Sequence, residues 1–305
     1  MSTVSVVKRN PTSSMLEPRH GLMLVGIAAL IWSTGGLIVR LLGTLDPWTI
    51  VFWRSFFAAL FVFGYVVWRD RGKTLETFRS VGWAGLIVAG AFTIASVGFV
   101  VALSLTSVAN TLVLFSTSPL IAGLLALVLL GEKVHPAGWA TMLVACIGVV
   151  IMVSASASSG SLAGDAIAFC VATAIAVGNV TIRKNRHIRM TPATCLGALL
   201  AALIALPLAA PLTVSNDQFA LLAVFGTLQF GLGMVLFTRG APLAPAAQVA
   251  LILLLEPILG PVWVWLALGE FPGTAALIGG GLVLLALAVN TTLDLRRMRK
   301  TMPLV

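Results

Sequence analysis

Ten stretches of this chain run for about twenty residues with scarcely a charge among them. They lie at roughly 21–42, 47–68, 81–105, 107–130, 136–154, 162–182, 191–213, 217–239, 243–268 and 274–293. A helix rises about 1.5 Å per residue, so roughly 20 apolar residues cross the hydrocarbon of a bilayer. The runs are too long for barrel strands and lack apolar/polar alternation. Lipid is therefore the solvent for most of the chain, and composition agrees. Of the 305 residues, 59% are hydrophobic and 10% charged, against about 25% charged in soluble domains. The expected fold class is all-α integral membrane, with ten transmembrane helices. The first run is longer than the roughly 7–15 residues of a signal-peptide core, so it reads as a retained helix.

Orientation follows from Lys and Arg, which gather in short cytoplasmic loops. The tail before the first run holds Lys8, Arg9 and Arg19, and the loop after the second holds Arg69, Arg71, Lys73 and Arg79. Lys133 follows the fourth run, Arg183, Lys184, Arg186 and Arg189 the sixth, and Arg239 the eighth. The last tail carries Arg296, Arg297, Arg299 and Lys300. With ten spans, all of these fall on one side and only Arg40 on the other, leaving Arg54 inside the second span. Both termini are expected in the cytoplasm. The net charge of +9 is thus a topology signal, and no nucleic-acid partner is expected.

One segment occurs twice. "PLIAGLLALVLLGE" spans Pro119–Glu132, and "PILGPVWVWLALGE" spans Pro257–Glu270, 138 residues later. The same offset aligns Leu105 with Leu243, Ala109 with Ala247 and Asn110 with Gln248. At a slightly different offset, "GGLIVR" (Gly35–Arg40) echoes "GNVTIR" (Gly178–Arg183). The small polar stretch Ser154–Gly164 reads as a linker. Two units are expected, 1–155 and 156–305, each of five helices. Five is odd, so the second unit enters the membrane from the opposite side, with Glu132 cytoplasmic and Glu270 exterior. Such inverted repeats suit alternating access around a midplane site. The plainer alternative is that Gly-Glu merely ends two apolar helices.

The paired Pro-to-Gly-Glu segments, with "IWSTGGLIVR" in the first run, resemble the drug/metabolite transporter superfamily, EamA type, including its amino-acid exporter branch. The resemblance covers about Gly21–Leu293. It implies a ten-helix secondary transporter with both termini inside, often an exporter of amino acids or related metabolites. It also implies a cavity lined by helices 1, 3, 4, 6, 8 and 9, with helices 5 and 10 peripheral, in a monomer or homodimer.

Polar groups inside hydrocarbon need a partner, a cavity or a function. Glu256 lies mid-span before Pro257, which loosens the helix and frees a carbonyl. Its carboxylate suits a substrate ammonium or a proton, or a structural pairing with a neighbouring helix. Arg54 sits six residues past Trp48, roughly 9 Å along the helix. It suits a substrate carboxylate, or snorkels outward, or pairs with Asp46 or Glu256. Trp32 and Trp53 lie away from the interfacial belt that Trp48, Trp68, Trp83 and Trp139 fit. Trp32 and Ser33 adjoin Gly35 and Gly36 and suit either a substrate face or close helix packing. Asn110, Ser116, Asn179, Gln229 and Gln248 suit a polar, zwitterionic solute, or hold helices together. Ser118, in the same helix as Ser116, suits the same two roles.

Enzyme chemistry has little footing. His20, His135 and His187 fall at the cytoplasmic rim, and neither a HExxH motif nor a phosphate-binding loop occurs. Cys146, Cys170 and Cys195 all lie in apolar runs, without the spacing of a disulfide framework or metal knuckle. No cofactor or metal is expected; the partners are the bilayer and a small-molecule substrate. The expected activity is export of amino acids, large or aromatic ones included, across an inner membrane. A broad drug or metabolite efflux permease is the alternative, and a membrane-embedded lipid-modifying enzyme the alternative of another class.

Overall fold

The computed structural model describes residues 11–105, 111, 114–153, 162–269, 271 and 273–300. Every regular element among them is helical. Helices α1 (Pro11–Ser33) and α2 (Gly35–Leu41) form one rod interrupted at Thr34, and α3 covers Pro47–Asp70. A short α4 (Thr74–Ser80), absent from the sequence expectation, precedes α5 (Gly82–Leu105). Then come α6 (Ser118–Leu130), α7 (Pro136–Val153), α8 (Leu162–Lys184) and α9 (Thr191–Ala205). Helix α10 (Asn216–Val224) passes through a π-helical turn, Phe225–Gly231, into α11 (Leu232–Gly240). Helices α12 (Ala246–Leu253) and α13 (Leu255–Leu268) form a second interrupted rod, and α14 covers Gly273–Lys300.

Among the described residues seven helical stretches are long and apolar enough to cross a membrane. Three shorter apolar helices, Ser118–Leu130, Pro136–Ile151 and Gly273–Val289, accompany them. The start of the expected fourth span, Asn110 included, lies largely outside the described residues, as do Glu270 and most of the Ser154–Gly164 linker.

Local chemistry sets several helix ends. Asp46 caps α3 by accepting from the Thr49 backbone N–H at 2.9 Å and its hydroxyl at 3.1 Å, with Pro47 next. Ser215 and Gln218 form a reciprocal capping box on α10. Gly131 and Gly269 close α6 and α13 in the left-handed conformation, at φ 66° and 72°, where glycine avoids the Cβ clash.

Packing is that of a protein dissolved in lipid. Ala28, Ala58, Ala102, Ala122, Ala126, Ala168, Ala172 and Ala198 are almost wholly buried, whereas Leu60, Val128, Ile147, Leu203 and Ile278 are exposed. Small residues inside let helix backbones approach, and large apolar ones face the acyl chains. Helix α5 packs on α8, α9 lies against both α3 and α5, and α7 pairs with α14. Helix α1 packs on α11, α12 and α13, the π turn rests on α3, and α6 touches α8 and α12.

The molecule has two distinguishable ends. At one, Gly21 lies against Gly240 and Leu243, with room for no Cβ, and Arg189 donates to Asp70 at 2.6 Å. At the other, Gln218 donates to the Leu42 carbonyl and the Ala210 N–H to the Thr49 hydroxyl.

Candidate substrate-binding site

The interruptions in the helices carry the polar groups. At Thr34 the hydroxyls of Ser33 and Thr34 donate back to the carbonyls of Leu30 and Ile31, both at 2.7 Å. Such bonds compete with the helical ladder and bend it. The Trp32 carbonyl instead accepts from Gln229 Nε2 at 2.7 Å. Gly35 makes that reach possible, because a Cβ there would stand 2.9 Å from Gln229 Nε2. Gln229 belongs to the π turn, where the extra residue per turn rotates side chains off the regular helical register. Its Oε1 is buried without a partner.

Arg54 faces the same turn. Its Nη2 donates to Ser96 on α5 at 2.7 Å, and the guanidinium lies 4.5 Å from the Phe230 ring centre and 5.6 Å from that of Phe225. Ring faces attract a cation that has left water. Close packing holds this arrangement, since a Cβ at Gly226 would lie 2.6 Å from the Arg54 carbonyl. Of the sequence alternatives, pairing with Asp46 is not what the structure shows, because that carboxylate caps α3. The Arg54 Nε is buried without a partner.

Glu256 sits two residues past the interruption at Leu254, on the first turn of α13. By surface area Glu256 is exposed in this structure, unlike its buried neighbours Leu254 and Ile258. Its charge and that of Arg54 interact electrostatically. Among the described residues no ion pair of 4.0 Å or less joins them; Glu132–Arg183 and Asp70–Arg189 do form such pairs. Arg54 thus lies against the same π turn as the half-satisfied Gln229, with no ion pair to Glu256.

The other sequence candidates separate from this group. Trp32 packs its ring on Phe230 and Phe237, with centroids 6.4 and 5.6 Å away, and against Gly233. Ser33, 1% exposed, accepts from Trp263 Nε1 at 2.7 Å while donating to Leu30, so its hydroxyl is engaged. Ser116 is buried, and its carbonyl accepts from Cys146 Sγ at 3.1 Å. Gln248 is half-buried on α12 and already engaged. Asn179, 2% exposed, leaves both amide atoms without a partner. Asn110 lies outside the described residues. Among those described, no group of three or more His, Cys, Asp or Glu could hold a metal.

Sequence reasoning missed Ser96, Phe225, Phe230 and Trp263. Nothing local marks them, because each matters through a partner on another helix. The role of Ser118 had a usable signal: it stands 138 residues before Glu256, at the same place in the doubled segment. Its hydroxyl is buried and unpartnered.

Known proteins agree with this architecture. The model of the EamA-like transporter family matches twice, at residues 19–154 and 160–292. An uncharacterized transporter of Archaeoglobus fulgidus is 25% identical over 281 residues, 88% of this chain and 96% of the relative. The pseudopaline exporter CntI of Pseudomonas aeruginosa is 26% identical over 276 residues, 88% of this chain and 94% of its own length. A crystal structure at 20% identity superposes with a TM-score of 0.78, covering 93% of this chain and 99% of the other, and so shares the fold. Small-residue helix packing, helices interrupted around buried polar groups and a family match over most of the chain identify this multi-pass membrane protein as a member of the EamA-like transporter family.

Proposed function

We propose that this protein exports small amino-acid-like metabolites by alternating access. Two inverted five-helix units, 1–155 and 156–305, make up its ten spans, with both termini in the cytoplasm and the chain in an inner membrane. The helix contacts support the repeat. Exchanging the first unit's helices for their counterparts turns the α5–α8 contact into α11–α1, and α9–α5 into the contact of α3 with the π turn. It also turns α6–α8 into the contact of α1 with the α12–α13 rod, and leaves α3–α9 and α7–α14 as they are. Contacts closed under such an exchange are what a pseudo-twofold requires.

The observation that carries the substrate reading is the unbridged pair of Arg54 and Glu256. A zwitterion satisfies both charges at once. Its carboxylate meets the Arg54 fork, its ammonium meets Glu256, and the Gln229 Oε1 supplies a further acceptor. The exporter relative named for pseudopaline supports metabolite export in the wider family. The test is purified protein in liposomes, with flux of labelled Phe, Trp, Met and Thr measured with and without a pH gradient. Protein-dependent flux of any of these is the expected result. No amino-acid flux, alongside efflux of cationic dyes, supports the second reading, a broad drug or metabolite permease. One observation favours that reading: an aromatic ladder beside Arg54, in which Trp53 stacks on Phe57 at 5.5 Å and meets Phe219 edge-on at 5.0 Å.

A further inference from the structure

Arg183 ends α8 and joins three elements. Its Nε donates to Glu132 Oε1 at 2.7 Å, just past the C-terminus of α6. Its Nη1 donates to the Pro242 carbonyl at 2.6 Å, in the short connection from α11 to α12. The planar guanidinium makes both bonds at once, which a lysine ammonium does with less geometric definition. The two side chains are 17% and 26% exposed, so the pair is screened less than a fully exposed one. Glu132 belongs to residues 1–155 and Arg183 to residues 156–305, so the bond crosses between halves. Asp70–Arg189, at the same end, crosses the same way, with the Asp70 side chain 6% exposed.

The end matters. Gly21 packs against Gly240 and Leu243, beside the carbonyl that Arg183 holds. Arg40, the sequence counterpart of Arg183, lies 19 residues further along the α1–α2 rod, roughly 28 Å away. Glu132, the Gly-Glu ending of the first repeat, thus meets Arg183 at the Lys/Arg-rich end.

We propose that Arg183, bonded to Glu132 and the Pro242 carbonyl, is a latch that holds the Lys/Arg-rich end of the transport path closed. It ties the ends of α6 and α8 to the α11–α12 connection. Opening that end separates these elements and breaks both bonds together, so the latch biases the equilibrium between the two access states. The inference rests on the inverted-repeat part of the reading above and not on the cargo.

The test places one cysteine at Ser118, with Cys146, Cys170 and Cys195 changed to alanine, in membrane vesicles of known orientation. A membrane-impermeant thiol reagent is applied from each side in turn. Glu132→Gln and Arg183→Gln are expected to raise labelling from the Lys/Arg-rich side at least about threefold, above the effect of an exposed pair because this one is mostly buried. Labelling from the other side falls. Arg183→Lys gives a smaller rise, the charge exchange Glu132→Arg with Arg183→Glu restores most of the parent pattern, and Arg40→Gln gives no rise from that side. The Lys and exchange variants keep the test decisive if a neutral variant fails to fold. Unchanged labelling in a folded Glu132→Gln protein overturns the latch, as does a rise that is equal from both sides. Absence of amino-acid flux in the parent overturns the cargo reading alone, because the labelling needs no substrate.

Discussion

Ser118 and Glu256 hold the same position in two copies of one helical segment, each followed by proline, and they have opposite surroundings. Ser118 is 5% exposed with its hydroxyl unpartnered. Glu256 presents accessible surface and interacts with Arg54. Thirteen residues beyond Ser118 and Glu256 the copies agree again, with α6 and α13 closing on Gly131 and Gly269 in the same left-handed conformation. The frame is repeated and the chemistry is not. On the alternating-access reading proposed above, a symmetric scaffold would serve two access states while one cargo needs one set of charges.

The largest expected effect breaks that asymmetry. Glu256→Gln removes the candidate site's carboxylate, and flux at low substrate concentration should fall about 10- to 100-fold, the range for a lost charged hydrogen bond. Moving the carboxylate to the other copy, with Ser118→Glu and Glu256→Ser together, should not restore it, because the charge of Arg54 interacts with position 256. Recovery of flux in the exchanged protein would mean that the two positions are equivalent and the asymmetry incidental.

Next comes the π turn that has no counterpart in α5. Gly226→Ala should cost about 1–3 kcal/mol in thermal unfolding, the range for overpacking, since its Cβ meets Phe57 and the Arg54 carbonyl at 2.6 Å. The same change should weaken substrate flux by displacing Arg54. Stability and flux both equal to the parent's would show that the turn has slack.

Two smaller effects sharpen the likeness. Gly131→Ala and Gly269→Ala each place a Cβ at positive φ and should cost about 1 kcal/mol, by nearly equal shifts in melting temperature. Unequal losses would show that the two caps carry different loads. Ser118→Ala should be the mildest, within about 0.5 kcal/mol of the parent or stabilising, because it removes a buried hydroxyl that has no partner. A marked loss would reveal a partner for that hydroxyl in another access state.

Much of the frame was legible in the sequence. The apolar runs follow from one-dimensional composition, because lipid demands about twenty uncharged residues wherever a helix crosses it. Pro47, Pro119 and Pro136 and the two closing glycines mark helix ends through backbone geometry alone. Glu256 stood out because a carboxylate amid such runs is costly. The fate of the tryptophans was not legible. For Trp32 the sequence left a substrate face and close helix packing both open; its packing partners, Phe230, Phe237 and Gly233, lie about 200 residues away in sequence.

The sequence by itself determined the solvent, the helical class, the doubled segment and the inventory of polar groups within the spans. Each is a local property, or a comparison of the chain with itself. Only the tertiary structure decided which polar groups meet. It joined Arg54 to Ser96, Gln229 to the Trp32 carbonyl, Ser33 to Trp263 and Arg183 to Glu132. The physical reason lies in the helices. Apolar nearly all round, they carry little record of their own rotation. Small-residue packing against other helices sets that rotation, and with it every partner.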